Sequence, residues 1–241
     1  MLDQLRLEEV LFLDIETVPQ QSGFDLLDDD LKQLWTDKSK YSREKNGTTV
    51  EESYSEAGIY AEFGKIVCIS VGYFAMRMNE RVLRVTSFYG HDEFKLLADF
   101  SELLETRTNH PFRMLCAHNG KEFDFPYLCR RMLIHRIKLP LLLNIAGKKP
   151  WEVAHLDTME LWKFGDYKNY TSIKVLAKIF GIPTPKDDID GSQVYGVYYN
   201  ETDGLERIKT YCEKDIVTLA RVLLKFTGKG SFGDEDVVIL K

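Results

Sequence analysis

Leu11-Phe12-Leu13-Asp14-Ile15-Glu16 is the stretch around which the rest of the chain is read. An apolar run, Val10 to Leu13, delivers two carboxylates, Asp14 and Glu16. In a strand, residues two apart point to the same face. The two acids would stand side by side, about 7 Å apart, at the end of a buried strand. Unpaired there, they repel each other and lose hydration. A hard divalent cation with oxygen ligands relieves both effects. An ordinary strand exit with solvated acids is the other reading of this hexapeptide. The choice turns on whether the chain supplies more carboxylates and a fold that gathers them.

Composition sets the bounds. The 241 residues are 44% hydrophobic and 29% charged, enough for one large domain with a sizeable core. No apolar run approaches the ~20 residues that span a bilayer. The N-terminus lacks the basic-then-apolar pattern of a signal peptide, so a cytoplasmic protein is expected. The cysteines, Cys68, Cys116, Cys129 and Cys212, form no Cys-x-x-Cys pair, which argues against a zinc site. Three lie in apolar stretches and read as buried thiols, while Cys212 sits in a charged segment with its role open. A net charge of −6 argues against attachment to nucleic acid through a global positive field. It leaves room for an enzyme that meets phosphates through bound metals and a local basic patch.

Moving outward, residues 10–15 predict a strand that Val18-Pro19 ends. Residues 20–60 form a polar excursion. Within it, Asp28–Trp35 predicts a helix, Thr36–Thr49 a charged loop, and Val50–Ala61 a second short helix. Such an insertion serves as a lid, a clamp or an oligomer contact. Residues 65–74 and 81–89 predict strands joined by a hairpin turn at Asn79-Glu80, hence antiparallel. A helix over 91–105, a short strand over 113–117 and a helix over 122–135 follow. The run Arg130, Arg131, His135, Arg136, Lys138 is either phosphate-binding or simply favourable at a helix C-terminus. Residues 139–152 predict a loop, 153–156 a strand ending at Asp157, and Thr171-Ser172 a helix start with Gly181 at its end. Residues 187–196 predict a polar loop, Thr202 or Asp203 a helix start running to about Phe226, and 228–241 a tail. This order defines a mixed α/β domain. In such sheets, polar sites gather at strand carboxyl ends near a topological switch point.

Two further acidic sites fall at such places. Asp124 lies within Asn119-Gly120-Lys121-Glu122-Phe123-Asp124, one turn into a helix after a strand end, where it also suits helix N–H groups. Tyr211 and Asp215 are i and i+4 on one helix face, which also carries Ile208, Leu219 and Val222. A carboxylate on a core-facing stripe calls for a partner or a metal.

Asp14-Ile15-Glu16-Thr17, Asn119 through Asp124, and Tyr211-x-x-x-Asp215 resemble the three exonuclease motifs of the DEDD superfamily of 3′–5′ exonucleases. Its DnaQ-like members share a ribonuclease H-like fold. With Phe63-Gly64-Lys65-Ile66-Val67-Cys68-Ile69-Ser70 included, the chain looks most like the predicted exonucleases related to the proofreading domain of family B DNA polymerases. The resemblance runs from about residue 10 to 226, and Tyr211, preceded by Thr210, fits the Tyr-type (DEDDy) branch.

The resemblance implies an α/β fold with a ribonuclease H-like mixed sheet, one strand antiparallel, flanked by helices. It implies one exonuclease domain over 1–226, with the insertion at about 20–60 and a tail over 227–241. It also implies two divalent ions, Mg²⁺ or Mn²⁺, the usual choice for all-oxygen sites. Asp14 would bridge both ions, Glu16 and Asp215 would complete the site of the attacking water, and Asp124 would hold the second ion. Tyr211 would orient the water without deprotonating. Thr17 and Asn119 match positions near the terminal nucleotide, and Phe123 packs either on a base or in the core. Asp157 sits beside the site in some relatives, or caps the Thr158 segment. The expected substrate is single-stranded DNA, with RNA or short oligonucleotides as the alternative. A non-catalytic nucleic-acid-binding module and an oligomeric scaffold are the rivals from other classes. No polymerase domain is expected after residue 226, so proofreading or repair would need a separate partner.

Overall fold

Among the described residues, six strands form one sheet in the order β5-β4-β1-β2-β3-β6. The structure, a computed structural model, describes residues 2–78, 80–105, 112–166, 168–183 and 189–240. The strands are β1 (Val10–Pro19), β2 (Gly64–Arg77), β3 (Glu80–Tyr89), β4 (Met114–Ala117), β5 (Leu156–Asp157) and β6 (Val237–Ile239). β2 pairs antiparallel with both β1 and β3, while β4, β5 and β6 join in parallel. One strand therefore runs against the rest, as the ribonuclease H-like class requires. Asn79, expected in the β2–β3 turn, lies outside the described residues, as does part of the expected loop over 187–196.

The helices are α1 (Asp29–Asn46), α2 (Val50–Ser53), α3 (Glu93–Glu105), α4 (Asp124–Ile134), α5 (Thr158–Lys163), α6 (Ile173–Ile179), α7 (Val194–Asn200) and α8 (Gly204–Thr227). β1 is central, and its two faces bury different rows. Leu11, Leu13 and Ile15 pack with Leu97 and Phe100 of α3 and with Phe125 and Leu128 of α4. Val10 and Phe12 pack with Ile216, Leu219 and Leu223 of α8. Strand alternation then sends Asp14 and Glu16 to the α8 side. β1 runs on through Val18-Pro19 rather than stopping before them; Pro19, which has no N–H to donate, takes its last position, opposite Gly64.

The insertion differs from its predicted form. α1 extends to Asn46, through residues expected as loop. Asp28 caps its start by accepting from Leu31 N at 2.8 Å, and Gly47 ends it in the left-handed region at φ 69°. No glycine or proline interrupts the stretch between, so its charge marks a solvated helix face rather than disorder. The 50–61 segment divides into α2, with a Thr49/Glu52 capping box, and a 3₁₀ segment over Tyr54–Ile59. Leu27, Trp35, Tyr54, Ala57 and Phe63 give the insertion a small core of its own.

α5 and α7 were not predicted. α7, Val-Tyr-Gly-Val-Tyr-Tyr-Asn, has weak helix propensity and is held by packing on Val18, Val67 and Ile208. The segment expected as a tail supplies β6, with Val237 opposite Leu83 and Ile239 opposite Val85. Three β-branched residues are too few to read as a strand alone. The open edge of β3 gives them a partner, and Phe232 on Phe74 (5.6 Å) anchors the approach. Gly64 is required by close approach: a Cβ there would collide with the Tyr127 hydroxyl and Gly58 O.

Candidate active site

β1 outruns β4, whose pairing register reaches only Phe12–Cys116. Ile15 N–H therefore faces no strand on that side, and Asp124 takes it, accepting through Oδ1 at 3.2 Å. The turn after β4 brings Asp124 there. Asn119 adopts the left-handed region at φ 65°, which asparagine tolerates, and its carbonyl accepts from Glu122 N and Phe123 N. Asp124 then opens α4 as its first residue, rather than lying inside a helix begun at Glu122.

From the other side, α8 presents Tyr211, Cys212 and Asp215 to the same place. Oxygens of Asp14 and Glu16 and the Cys212 sulfur all lie within 4.8 Å of one another. Cys212 Sγ donates to Asp14 Oδ2 at 3.2 Å. Glu16 is buried at 8% exposure, and its carboxylate has no hydrogen-bond or ion-pair partner among the described residues.

The electrostatics follow from this crowding. Burial, then the charges of Asp215 and Asp124, hold the Asp14 carboxyl well above its usual range. Burial, then Asp14 and Asp215, do the same to Glu16. Burial pushes Asp124 up to about 7, against the hydrogen bonds from its own N–H and Ile15 N. Burial, with the carboxylates of Asp215, Glu16 and Asp14 around it, drives the Tyr211 phenol far upward, and its hydroxyl is hydrogen-bonded to Asp215. Tyr211 is therefore an O–H donor at neutral pH. Four carboxylates, Asp14 and Glu16 raised by burial and neighbouring carboxylates and Asp124 chiefly by burial, with Asp215 beside them, form a donor set that fits hard divalent cations and would be relieved by them.

The remaining predicted residues divide. Thr17 hydrogen-bonds the Tyr127 hydroxyl, which donates to Gly58 O at 2.7 Å. Thr17 and Phe123 both line a cleft of about 500 Å³ that opens on Glu16. Phe123 also packs on Tyr127 at 5.3 Å, so it serves core and cleft together. Asn119 lines a separate cleft with Lys121, Lys148 and Lys163. Asp157 is a cap: it accepts from Asn119 N, Lys121 N, Met159 N and Glu160 N at 2.9–3.3 Å. Asp157→Ala leaves the Asn119 turn and the start of α5 without acceptors. Urea melts should read a loss of about 2 kcal/mol, and a wild-type midpoint would refute the cap's importance. Arg131 of the basic run is buried against Glu93 and is unavailable to phosphate, while Arg130, Arg136 and Lys138 stay exposed.

Two residues at the site escaped the sequence reading. Cys212 lies three residues before Asp215, a spacing that already put it on the same face. Lys174 of α6 stands over the Tyr211 ring at 5.8 Å, and no local pattern announces it.

A sheet with one reversed strand and a carboxylate centre beside its middle strand is the arrangement that the exonuclease motifs in the sequence implied. The chain matches the family described as predicted 3′–5′ exonuclease related to the exonuclease domain of PolB over residues 59–237, well over half its length, and it belongs to that family. No curated protein matches it. It is similar in fold to the family B DNA polymerase from the hyperthermophilic archaeon Pyrobaculum calidifontis, with a TM-score of 0.51 and 16% identity. The similarity covers 90% of this chain and 24% of the polymerase, so the chain spans about a quarter of that protein's length. Among the described residues, no helix is long and apolar enough to cross a membrane.

Proposed function

We propose that the chain removes nucleotides from the 3′ end of single-stranded DNA with two bound divalent ions, Mg²⁺ or Mn²⁺. The observation that carries this reading is the convergence of Asp14, Glu16, Asp124 and Asp215 with Tyr211, with no ion-pair partner for Asp14, Glu16 or Asp124 among the described residues. Bound ions would supply an activated water and stabilise charge on the scissile phosphate and the leaving oxygen. Asp14, which feels the charges of Asp215 and Asp124 and lies within 4.8 Å of Glu16, would be shared by both ions. Glu16 and Asp215 would complete one position and Asp124 the other. Tyr211 keeps its proton and would orient the attacking water by donating or accepting one hydrogen bond. A polymerase or repair protein is the partner such a domain would serve.

The test is a 5′-labelled single strand with Mn²⁺ or Mg²⁺, run on matched DNA and RNA. A stepwise ladder from the 3′ end of DNA, lost in EDTA, is expected. Faster shortening of RNA would change the substrate and keep the chemistry. No metal-dependent shortening of either would favour a binding module. Tyr211→Phe removes only the hydroxyl; kcat should fall about 10- to 100-fold with little change in KM. An unaltered kcat would remove Tyr211 from the water's environment.

A further inference from the structure

Two charged stretches remain outside the carboxylate site: the basic run at the end of α4 and the acidic start of the insertion. Each carries exposed apolar side chains, and their charges are opposite. On α4, Arg130, Leu133 and Ile134 are i, i+3 and i+4 and share one face. Leu133 and Ile134 are each more than half exposed, as is Phe94 of α3, whose ring lies 6.2 Å from that of His135. Arg130, Arg136 and Lys138 stand exposed around them and form no ion pair among the described residues. A single exposed leucine needs no explanation, but a cluster of apolar side chains rimmed by charge marks an interaction surface.

Arg136 adds a second observation. α4 ends in a Schellman motif, in which Arg136 N donates to Leu133 O at 3.0 Å and Ile137 N to Met132 O at 2.8 Å. The left-handed position of that motif usually belongs to glycine, and here Arg136 holds it at φ 57°. A cation therefore stands where glycine would be more stable.

The complementary surface lies at the start of the insertion. Asp25 and Leu26 belong to the 3₁₀ turn over Phe24–Leu26, and Asp30 and Leu34 are i and i+4 on α1. Leu26 and Leu34 are more than half exposed. Asp25, Asp29 and Asp30 are exposed and form no ion pair among the described residues. A nucleic-acid strand would use the cations of the α4 patch and leave its leucine and isoleucine in water. An acidic and apolar protein surface engages both.

We propose that two copies of the chain associate through these patches, the end of α4 on one copy against the start of α1 on the other. Two such contacts related by a two-fold axis close a dimer. Ile134 lies at the opposite end of α4 from Asp124, about 15 Å away along its axis, so this contact is separate from the carboxylate site.

Sedimentation of the full chain tests this. At about 50 µM and low salt a dimer is expected, and about 0.5 M NaCl should dissociate much of it. The double variants Arg130→Glu/Arg136→Glu and Asp29→Arg/Asp30→Arg should each weaken association by about tenfold or more. Mixed together, they should dimerise again, because one contact then joins the reversed charges and the other the native ones. Arg136→Gly separates association from folding: it should melt about 2 °C higher than wild type and yet associate more weakly. A wild type that stays monomeric in low salt overturns the proposal. So does a dimer that persists in both double variants, or a mixture of them that stays monomeric. A monomeric wild type whose Arg130→Glu/Arg136→Glu form loses affinity for single-stranded DNA in EDTA would make the α4 patch a phosphate contact instead.

Discussion

Asp14→Ala is expected to lower kcat by about 10³-fold or more while leaving the fold intact. Asp14 feels the charges of both Asp215 and Asp124, accepts from Cys212 Sγ of α8, and lies within 4.8 Å of Glu16. Its loss removes the shared ligand of both proposed ion positions. Glu16→Ala should be less damaging, because Asp215 remains beside it. The isosteric replacement at Asp14 should have the opposite effect on stability without metal. Removing one of several crowded, buried charges relieves repulsion, so Asp14→Asn should melt higher than wild type in EDTA, by about 1 kcal/mol. Mn²⁺ should then stabilise the wild type and not the variant. Melts with and without Mn²⁺, paired with single-turnover rates, check both halves. An Asp14→Ala chain that keeps a tenth of wild-type activity would remove Asp14 from the chemistry.

The second large effect concerns stability. Glu93 of α3 is buried and accepts from Arg131 Nε (2.9 Å) and Nη2 (2.5 Å), from Ile66 N (2.7 Å) and, at 2.7 Å, contacts His135 Nε2. Arg131 also donates to Ala61 O at 2.8 Å, so one ion pair ties α3, α4, β2 and the end of the insertion together. Burial opposes the Glu93 charge, but the Arg131, Ile66 and His135 contacts prevail and hold its pKa below 4.5. Arg131→Met strands the carboxylate and should cost about 3–5 kcal/mol, or roughly 10 °C in Tm. Replacing both partners with apolar residues should cost far less. Because the native pKa is depressed, the pair's contribution is complete above about pH 4.5 and fades as pH falls through the lowered value. The gap between wild type and Arg131→Met in urea melts should therefore shrink from pH 7 to about pH 3. An equal gap at both would show that the pair's charge is not what stabilises it.

The basic run illustrates why local sequence misleads here. Arg131 sits among cations, as a phosphate-binding residue would, yet its partner lies 38 residues away and its side chain is buried. α1 illustrates the converse. Its charged second half resembles a loop, but continuous helix formers between an Asp28 cap and Gly47 suffice to carry it on. The Val237–Ile239 run becomes a strand only because β3 has an edge to offer.

The sequence alone determined what depends on periodicity. A two-residue repeat put Asp14 and Glu16 on one face of β1, and a four-residue step put Tyr211 beside Asp215 on α8. Apolar runs placed β1, β2, β3 and β4 within a residue or a few, because burial on a sheet leaves a local signature. Only the tertiary structure decided what those faces meet. The bond from Ile15 N to Asp124 spans 109 residues, and that from Cys212 to Asp14 spans 198. The insertion's place as a wall beside Glu16 depends on Gly58 lying flat against β1. Such contacts carry no periodic trace: they arise where separately encoded elements close-pack, and packing is a property of the assembled core rather than of any stretch within it.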